Sequence, residues 1–209
     1  MNFPFPRHMR FSEKKLDNLK KISMLHKDTL RMMHNWSQTS KHNVLEIGSY
    51  IGGGTIALAS GTNKKVIAIE VGGAYNHNMI PSTDILKDLK RNLRYWGIKN
   101  VTIIAEFSES PIAVELVDKL LAGEKISLIA LDSNGSIASE LLRYKNFLAP
   151  ECKIIIDDYL LEGSESDGKN MQVNDETNRL IVEGIIDKEF VNGWGTFFGT
   201  LHVENFGTA

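Results

Sequence analysis

One segment of the 209-residue chain carries more information about its architecture than any other. It reads Asn43-Val44-Leu45-Glu46-Ile47-Gly48-Ser49-Tyr50-Ile51-Gly52-Gly53-Gly54-Thr55-Ile56-Ala57-Leu58-Ala59. A short apolar run ends here in a glycine-rich turn, and an apolar helical pattern follows the turn directly. Glycine allows a backbone to approach a ligand closely, and the start of a helix offers unpaired amides to negative groups. The segment therefore predicts a buried strand, a ligand-binding turn and a helix.

The alternation of apolar strands and helices continues along the chain in both directions. Further strands are predicted at residues 65–71, 101–104, 126–131 and 153–156, with helices between them. Before the segment, Ser12 is typical of a helix N-cap, and a second helical pattern runs from Leu25 to about Trp36. Continuous apolar strands that alternate with helices indicate a parallel sheet covered on both faces. We therefore predict a doubly wound α/β fold preceded by N-terminal cap helices.

The C-terminal part of the sequence follows a different pattern. A polar stretch at residues 162–174 is typical of a loop, and residues 176–186 are predicted to form a helix. Asn192-Gly193 lies between two strand-like runs, and this dipeptide favours the left-handed dihedrals of a type I′ hairpin turn. We expect five parallel strands to be followed by an antiparallel C-terminal hairpin.

Composition excludes several classes of protein. Lys and Arg number 24 against 26 Asp and Glu, so the net charge of −2 gives no basic excess for nucleic acid or a membrane surface. The single cysteine, Cys152, cannot form an internal disulfide, and no apolar run approaches the roughly 20 residues of a membrane helix. The opening residues lack a charged region followed by an apolar core, so we expect no signal peptide.

We expect one soluble, cytoplasmic domain, with cap helices in residues 1–42 and the cofactor-binding core in residues 43–209. The cap helices could cover an active site or pair two subunits into a homo-oligomer.

The spacing of the glycines can be compared with two nucleotide-binding motifs. A G-x-G-x-x-G motif that starts at Gly48 would need glycine at position 50, which is Tyr50. A Walker A loop would need a lysine at the helix start, and none is present there. Glu70 ends the second predicted strand, where an acid can accept hydrogen bonds from ribose hydroxyls. This acid suits either a dinucleotide or an adenosyl ligand.

The segment Val44–Gly52 resembles motif I of the class I S-adenosylmethionine-dependent methyltransferases. It is most similar to the form found in catechol O-methyltransferase and its bacterial relatives, and in the macrocin (sugar) O-methyltransferases. The resemblance extends from about Val44 to the C-terminal hairpin and implies a Rossmann-like, mostly parallel sheet of seven strands. It also implies that the glycine turn binds the methionine half of S-adenosylmethionine and Glu70 the ribose.

The resemblance implies a full set of residues that bind S-adenosylmethionine. Val71 would pack on the adenosine, and Phe107, Ser108 and Glu109 would border the adenine. The complete set is Glu46, Gly48, Ser49, Tyr50, Gly52, Gly54, Glu70, Val71, Phe107, Ser108, Glu109 and Asp132. Gly54 departs from the family pattern, because relatives often have a hydroxyl there that holds the cofactor's carboxylate. Backbone amides or Thr55 are the candidates for that role.

Three aspartates follow neighbouring predicted strands. Asp132 comes directly after the fourth strand, and Asp157-Asp158 follow the fifth. The carboxyl ends of strands form the ligand crevice of a doubly wound sheet, so these carboxylates are expected to converge beside the glycine turn. Hard oxygen ligands without His or Cys suit Mg²⁺. Two alternatives stay open: Asp132 could contact the cofactor's ammonium without a metal, and Asp157-Asp158 could cap a loop or helix.

The resemblance sharpens this prediction. Cation-dependent O-methyltransferases hold their metal with one acid after the fourth strand and an acidic or Asp-Asn pair after the fifth. Asp132, Asp157 and Asp158 match that pattern. The resemblance therefore implies Mg²⁺ as a cofactor and a small acceptor with neighbouring hydroxyls, either a catechol-like phenol or a sugar diol.

The general base is missing from its expected position. Relatives have Lys or His three residues after the first metal aspartate, where this chain has Gly135. His77 is the first substitute that we consider, followed by His34 and His42, while Tyr75 and His77 could equally shape the substrate entrance. The polar loop at residues 160–172 is a candidate substrate lid.

The predicted function is O-methylation. The alternatives are metal-independent N- or C-methylation, an inactive cofactor-binding relative, and, less favoured, an NAD-dependent oxidoreductase.

Overall fold

The computed structural model describes residues 11–76, 78–159 and 168–206. The helices of these ranges are α1 (Glu13–Lys20), α2 (Lys27–Ser37), α3 (Gly53–Gly61), α4 (Ile85–Tyr95), α5 (Pro111–Leu121), α6 (Ile137–Tyr144) and α7 (Gly168–Val182). The strands are β1 (Asn43–Ile47), β2 (Val66–Ile69), β3 (Val101–Ile104), β4 (Ile126–Leu131), β5 (Leu148–Ile156), β6 (Ile186–Val191) and β7 (Phe197–His202). None of the helices described is long and apolar enough to cross a membrane.

The strands form one seven-stranded sheet in the order β3-β2-β1-β4-β5-β7-β6. Strands β1 to β5 are parallel, while β7 is antiparallel to both β5 and β6. The doubly wound fold with an antiparallel C-terminal hairpin is therefore confirmed. The chain order reverses between β1 and β4, which is where such sheets bind ligands.

The strand register decides which residues meet at this reversal. Ile47 pairs with Leu131, and Leu131 pairs with Ile156. The next residue of each strand, Gly48, Asp132 and Asp157, therefore leaves the sheet side by side. The Asp132 and Asp157 amides still donate to the carbonyls of Ile47 and Leu131, each at 2.9 Å, so the backbone at both aspartates belongs to the rigid ladder.

Helices cover both faces of the sheet and bury two hydrophobic cores. Helices α1 to α4 pack on one face through residues such as Leu16, Leu30 and Leu89. Helices α5 to α7 pack on the other face, where Val117 and Tyr144 are fully buried. The Ser12 hydroxyl accepts from the Lys15 amide at 3.3 Å, which is the N-cap that the sequence predicts. The expected cap helices are therefore present against the first face.

The last helix differs from its prediction. It covers Gly168–Val182, whereas the sequence pattern predicts a loop at 162–174 and a helix at 176–186. Val173, Thr177 and Leu180 form its buried stripe, but polar neighbours dilute the apolar signal of that stripe. Gly184 has a φ of +69° and ends the helix early, and the β6 strand begins two residues later.

The predicted type I′ turn at Asn192-Gly193 is wrong. Strands β6 and β7 are joined by a five-residue connection, residues 192–196, in which the Asn192 amide donates to the Thr196 carbonyl at 3.0 Å. The left-handed glycine is Gly195, with a φ of +85°. The Asn192 side chain instead accepts from the amides of Trp194 and Thr196 at 2.9 and 3.1 Å, which fixes a wider loop. His77 and most of the predicted lid, residues 160–167, lie outside the described residues.

Candidate active site

The glycine turn after β1 is shaped by close backbone contact with the end of β4. Gly48 has a φ of +85°, and a Cβ atom there would lie 1.9 Å from the Asp132 carbonyl oxygen. Only glycine permits this approach, so Gly48 brings the turn against Asp132. Gly52 also has a positive φ, of +97°, but a Cβ there would meet Leu89 Cδ1 at 2.6 Å. Gly52 therefore serves the turn and its packing against Leu89 of α4.

Glu70 holds the turn from the neighbouring strand. Its carboxylate accepts from the Tyr50 amide at 2.7 Å and from the Gly72 amide at 2.9 Å. Tyr50 adopts a φ of +47°, which is uncommon for a side-chain-bearing residue and is maintained here by that hydrogen bond. Each Glu70 oxygen still has a lone pair for a ligand hydroxyl, because each accepts a single main-chain hydrogen bond.

Glu46 lies in the protein interior behind the turn. Its carboxylate accepts from the Ser49 hydroxyl at 2.8 Å and from the Thr55 hydroxyl. Burial raises the pKa of Glu46 to about 7, although these two hydrogen bonds act in the opposite direction. A Cβ at Gly54 would lie 2.6 Å from Glu46 Oε1, so a hydroxyl-bearing residue at this position would require the Glu46 carboxylate to shift. Thr55 is fully buried and its hydroxyl donates to Glu46, so the backbone amides of the turn are the remaining candidates for binding the cofactor's carboxylate.

A cavity of about 380 Å³ opens beside the carboxyl ends of β1, β2 and β4. Seven of the residues predicted to bind the cofactor line it: Gly48, Glu70, Val71, Phe107, Ser108, Glu109 and Asp132. We call it the nucleoside cavity, because Glu70 lies at its wall where ribose hydroxyls are expected. A smaller cavity of about 40 Å³, between the turn and residues 22–25, is lined by Glu46, Ser49, Tyr50 and Gly54.

Glu140 stands behind the wall of the nucleoside cavity, and the sequence analysis missed it. Its Oε1 atom accepts from the Ser108 and Ser133 hydroxyls at 2.9 and 2.7 Å. Both serines line the cavity, and Glu140 itself is buried. The Ser108 hydroxyl also lies 3.2 Å from Glu109 Oε2, so its single hydrogen is shared between two carboxylates.

Asp132, Asp157 and Asp158 converge as the sequence predicts. One carboxylate oxygen from each lies within 4.8 Å of the others. Asp158 has a φ of +60°, a left-handed conformation that turns the chain directly after Asp157. Burial and the nearby carboxylates raise the pKa of Asp157 above its ordinary value. We call these three residues the aspartate cluster.

A chain of hydrogen bonds orients Asp157. The Asn192 side-chain amide donates to the Thr29 hydroxyl at 2.7 Å, and the Thr29 and Thr196 hydroxyls lie 3.1 Å apart. The Thr196 hydroxyl donates to Asp157 Oδ1 at 2.7 Å. Every donor in this chain points towards Asp157, so the network supports its ionised form. It joins helix α2 and the β6–β7 connection to the aspartate cluster.

Lys169 enters the same cluster from the first turn of α7. Its Nζ atom lies 2.5 Å from Asp158 Oδ2 and 3.5 Å from Asp132 Oδ1. Burial acts to lower the pKa of Lys169, but the three carboxylates outweigh burial and raise it. Nothing in the sequence pattern indicated this residue, because residues 162–174 were predicted to be a loop.

The position that a side chain at Gly135 would occupy faces α7. A Cβ atom at Gly135 would lie 3.5 Å from both Lys169 Cγ and Val173 Cγ2. The aliphatic part of Lys169 therefore packs at van der Waals distance beside the position at which relatives are expected to have Lys or His. The positive side chain of this site comes from α7, and the residue three positions after Asp132 contributes none.

A third cavity, of about 600 Å³, reaches the aspartate cluster from the side of the cap helices. Its wall includes Lys20, His26, Tyr75, Met79 and Trp194, together with the three aspartates and Lys169. The His26 and Trp194 rings are stacked with their centroids 3.7 Å apart. We call this space the acceptor cavity, because it meets the nucleoside cavity at Asp132.

The alternative histidines do not lie in the cleft. His34 is buried in α2, where it stacks on Phe11 at 4.6 Å and lies 3.2 Å from the Ser60 hydroxyl. His42 precedes β1 and therefore lies at the opposite edge of the sheet from the strand ends. Both suggestions of a catalytic base are wrong for this reason. His26, which the sequence analysis did not consider, is the described histidine in the acceptor cavity wall, and its Nδ1 accepts from the Asp28 amide at 3.2 Å.

Several solved structures with this fold are named as methyltransferases. An O-methyltransferase from Bacillus cereus in complex with SAH has a TM-score of 0.66 and 14% identity, with 92% of each chain covered. The O-methyltransferase TomG from Streptomyces achromogenes, in complex with SAM, gives 0.65 and 14%, with 92% of this chain and 91% of that chain covered. An SAH-bound methyltransferase from Podospora anserina gives 0.64 and 14%, with 97% and 98% covered.

Comparison with protein-family models finds no match, and comparison with curated protein sequences finds no significant one. At these low identities the structural likeness shows the fold. The chain therefore has the fold of the class I methyltransferases, as the resemblance in residues 44–52 implies.

Proposed function

We propose that this chain is an S-adenosylmethionine-dependent O-methyltransferase with a small hydroxylated acceptor. One observation carries the proposal: Asp132 lines both the nucleoside cavity and the acceptor cavity. A cofactor held by Glu70 and an acceptor held at the aspartate cluster would therefore meet at one residue. S-adenosylmethionine, when bound, would supply the methyl group, and transfer to a hydroxyl oxygen leaves S-adenosylhomocysteine and releases the hydroxyl proton.

The chain's own residues would position the two reactants. Glu70 would accept hydrogen bonds from the ribose hydroxyls, and the amides of residues 53 and 54 would face the cofactor's carboxylate. Glu46 and Asp132 would place negative charge near the cofactor's positive groups. The acceptor would lie between the aspartate cluster and the His26–Trp194 pair, with its oxygen directed towards Asp132.

We further propose Mg²⁺ as the cofactor of the aspartate cluster. Three carboxylates with oxygens within 4.8 Å of one another suit a hard divalent ion. Such an ion, when bound, would acidify one acceptor hydroxyl and hold a neighbouring oxygen. Asp132, Asp157 and Asp158 would be its protein ligands, and Thr196 would orient Asp157 from behind. Because Lys169 contacts two of these acids, metal-independent methylation is the second candidate.

The test is calorimetric titration of S-adenosylmethionine, with and without Mg²⁺, into the wild-type chain and the Asp157→Asn variant. We expect cofactor affinity to change less than about threefold in the variant, while Mg²⁺ binding falls by at least about 100-fold. Asp118→Asn is the matched control, because Asp118 is exposed on the surface of α5, and it should behave as wild type. Methyl transfer to catechols, flavonoids and sugars is then followed with and without a chelator.

Each part of the proposal can fail separately. If the wild-type chain binds NAD and not S-adenosylmethionine, the methyltransferase assignment is wrong. Full methyl transfer after chelation would overturn the role of Mg²⁺ and support metal-independent chemistry. Stoichiometric cofactor binding without transfer to any acceptor class would support a non-catalytic relative instead.

A further inference from the structure

We propose that Lys169 is an internal cation of the aspartate cluster, and that a divalent ion binds there only by displacing its ammonium group. This inference rests on the metal site of the proposed function and deepens it. The ammonium lies 2.5 Å from Asp158 Oδ2 and 3.5 Å from Asp132 Oδ1, and therefore contacts two of the three carboxylates that a metal would need.

Electrostatics makes the two cations compete for this place. The three carboxylates repel one another, and a positive group among them relieves that repulsion. An ammonium group and a divalent ion that share a carboxylate oxygen repel each other at short range, in a site partly shielded from water. A bound ion would therefore have to replace the stabilisation that Lys169 already provides.

Gly135 explains how a side chain from α7 reaches the cluster. The Lys169 stem passes over Gly135, whose missing Cβ would lie 3.5 Å from Lys169 Cγ. A lysine or histidine at position 135 would extend beyond Cβ into the path of this stem. Glycine at position 135 therefore leaves the space through which Lys169 reaches the cluster.

The geometry also gives the displaced ammonium a place to go. Lys169 lines the acceptor cavity of about 600 Å³, and its long flexible side chain can rotate away from the acids while α7 stays in place. Its helix is anchored by buried Val173, Thr177 and Leu180, and Glu176 accepts from the Ala138 amide at 2.9 Å. Displacement therefore requires a change of side-chain rotamer, not the movement of α7.

The experiment compares Mn²⁺ and Mg²⁺ binding, measured by calorimetry, in the wild-type chain and in Lys169→Met and Lys169→Gln. Both variants remove the ammonium, and glutamine keeps a polar side chain in case the methionine variant folds poorly. We expect both to bind the ion at least about tenfold more tightly than wild type. Thermal unfolding gives a second readout: added Mg²⁺ should raise the Tm of either variant more than that of wild type.

Lys20→Met is the matched control, because it makes the same charge change in the wall of the same cavity. The Lys20 ammonium donates to the Ser23 and Met24 carbonyls at 3.1 and 3.0 Å and does not contact the aspartates. Its effect on ion affinity should stay within about twofold.

Several results would overturn the inference. They are equal or weaker ion binding in the Lys169 variants, an equal gain in Lys20→Met, and no ion binding by any of the proteins. Titration of S-adenosylhomocysteine in the same samples separates the two proposals. If the cofactor fails to bind while the Lys169 variants gain ion affinity, the function is wrong and the internal cation stands.

Discussion

The two halves of the cleft are built in different ways. In the nucleoside half, the Glu70 carboxylate is held by the amides of Tyr50 and Gly72, so the β1 and β2 loops support each other through main-chain groups. In the acidic half, Asp157 is held by the Thr196 hydroxyl and Asp158 by the Lys169 ammonium. Those partners are side chains from the β6–β7 connection and from α7.

This difference determines how readily each half can change. Main-chain donors are available whatever side chains surround them, so the nucleoside half depends mainly on glycines and one acid. Side-chain partners depend on residue identity at distant positions, as the 167-residue separation of Thr29 and Thr196 shows. The acidic half therefore depends on side chains from α2, α7 and the β6–β7 connection.

The largest effect should come from Gly48→Ala, which would disturb both halves. The new Cβ would lie 1.9 Å from the Asp132 carbonyl oxygen, at a φ of +85°. We expect a loss of about 3–5 kcal/mol in the free energy of unfolding from overpacking and strain, measured in urea. Binding of S-adenosylhomocysteine and of Mg²⁺ should both be lost.

Gly73→Ala is the control for backbone strain alone. Gly73 has a φ of +94°, but a Cβ there meets no atom within 4 Å. It should cost only about 1 kcal/mol. Equal destabilisation by the two alanines would show that the contact between the turn and β4 is unimportant.

Glu70→Gln should disturb the nucleoside half only. Glutamine has one carbonyl oxygen, so it can accept from only one of the Tyr50 and Gly72 amides, and it removes the charge that strengthens the hydrogen bonds expected to ribose. We expect S-adenosylhomocysteine to bind about 10–100-fold more weakly, because a charged hydrogen bond contributes about 1.5–3 kcal/mol. Mg²⁺ affinity should not change. Glu106→Gln, in the wall of the same cavity, should alter cofactor affinity by less than about twofold, and a similar loss there would contradict the role given to Glu70.

The smallest effect should come from Thr29→Val, which interrupts the hydrogen-bond chain behind Asp157. The change leaves the Asn192 amide and the Thr196 hydroxyl without their shared partner. We expect about 1–2 kcal/mol of destabilisation. Mg²⁺ affinity should fall about threefold to tenfold, which corresponds to about 1 kcal/mol, while cofactor affinity should not change.

Thr177→Val is the matched control for the loss of a buried hydroxyl. Thr177 is fully buried, and its hydroxyl has no hydrogen-bond partner among the described residues. Replacing it with valine should leave stability the same or slightly higher. If Thr29→Val changes neither stability nor ion affinity, the network does not orient Asp157.

The sequence predicted the parts of the site that depend on local patterns. The pattern of a buried strand followed by glycines places Gly48 in a tight turn. The acid at the end of the next strand places Glu70 beside that turn. The same reasoning placed Asp132 and Asp157, because parallel strands end at one edge of the sheet. It failed for α7, where Val173, Thr177 and Leu180 form a buried stripe too short and too mixed to stand out from polar neighbours.

By itself, then, the sequence determined the alternating fold, the glycine turn and the acidic strand ends, because these follow from short-range periodicity and backbone conformation. Only the tertiary structure decided which side chains complete the site. In it the Thr55 hydroxyl donates to Glu46, and His34 and His42 lie outside the cleft. Lys169 passes over Gly135 and contacts the aspartate cluster. These outcomes depend on how distant elements pack, and no local pattern encodes the distance between two side chains that lie far apart in the chain.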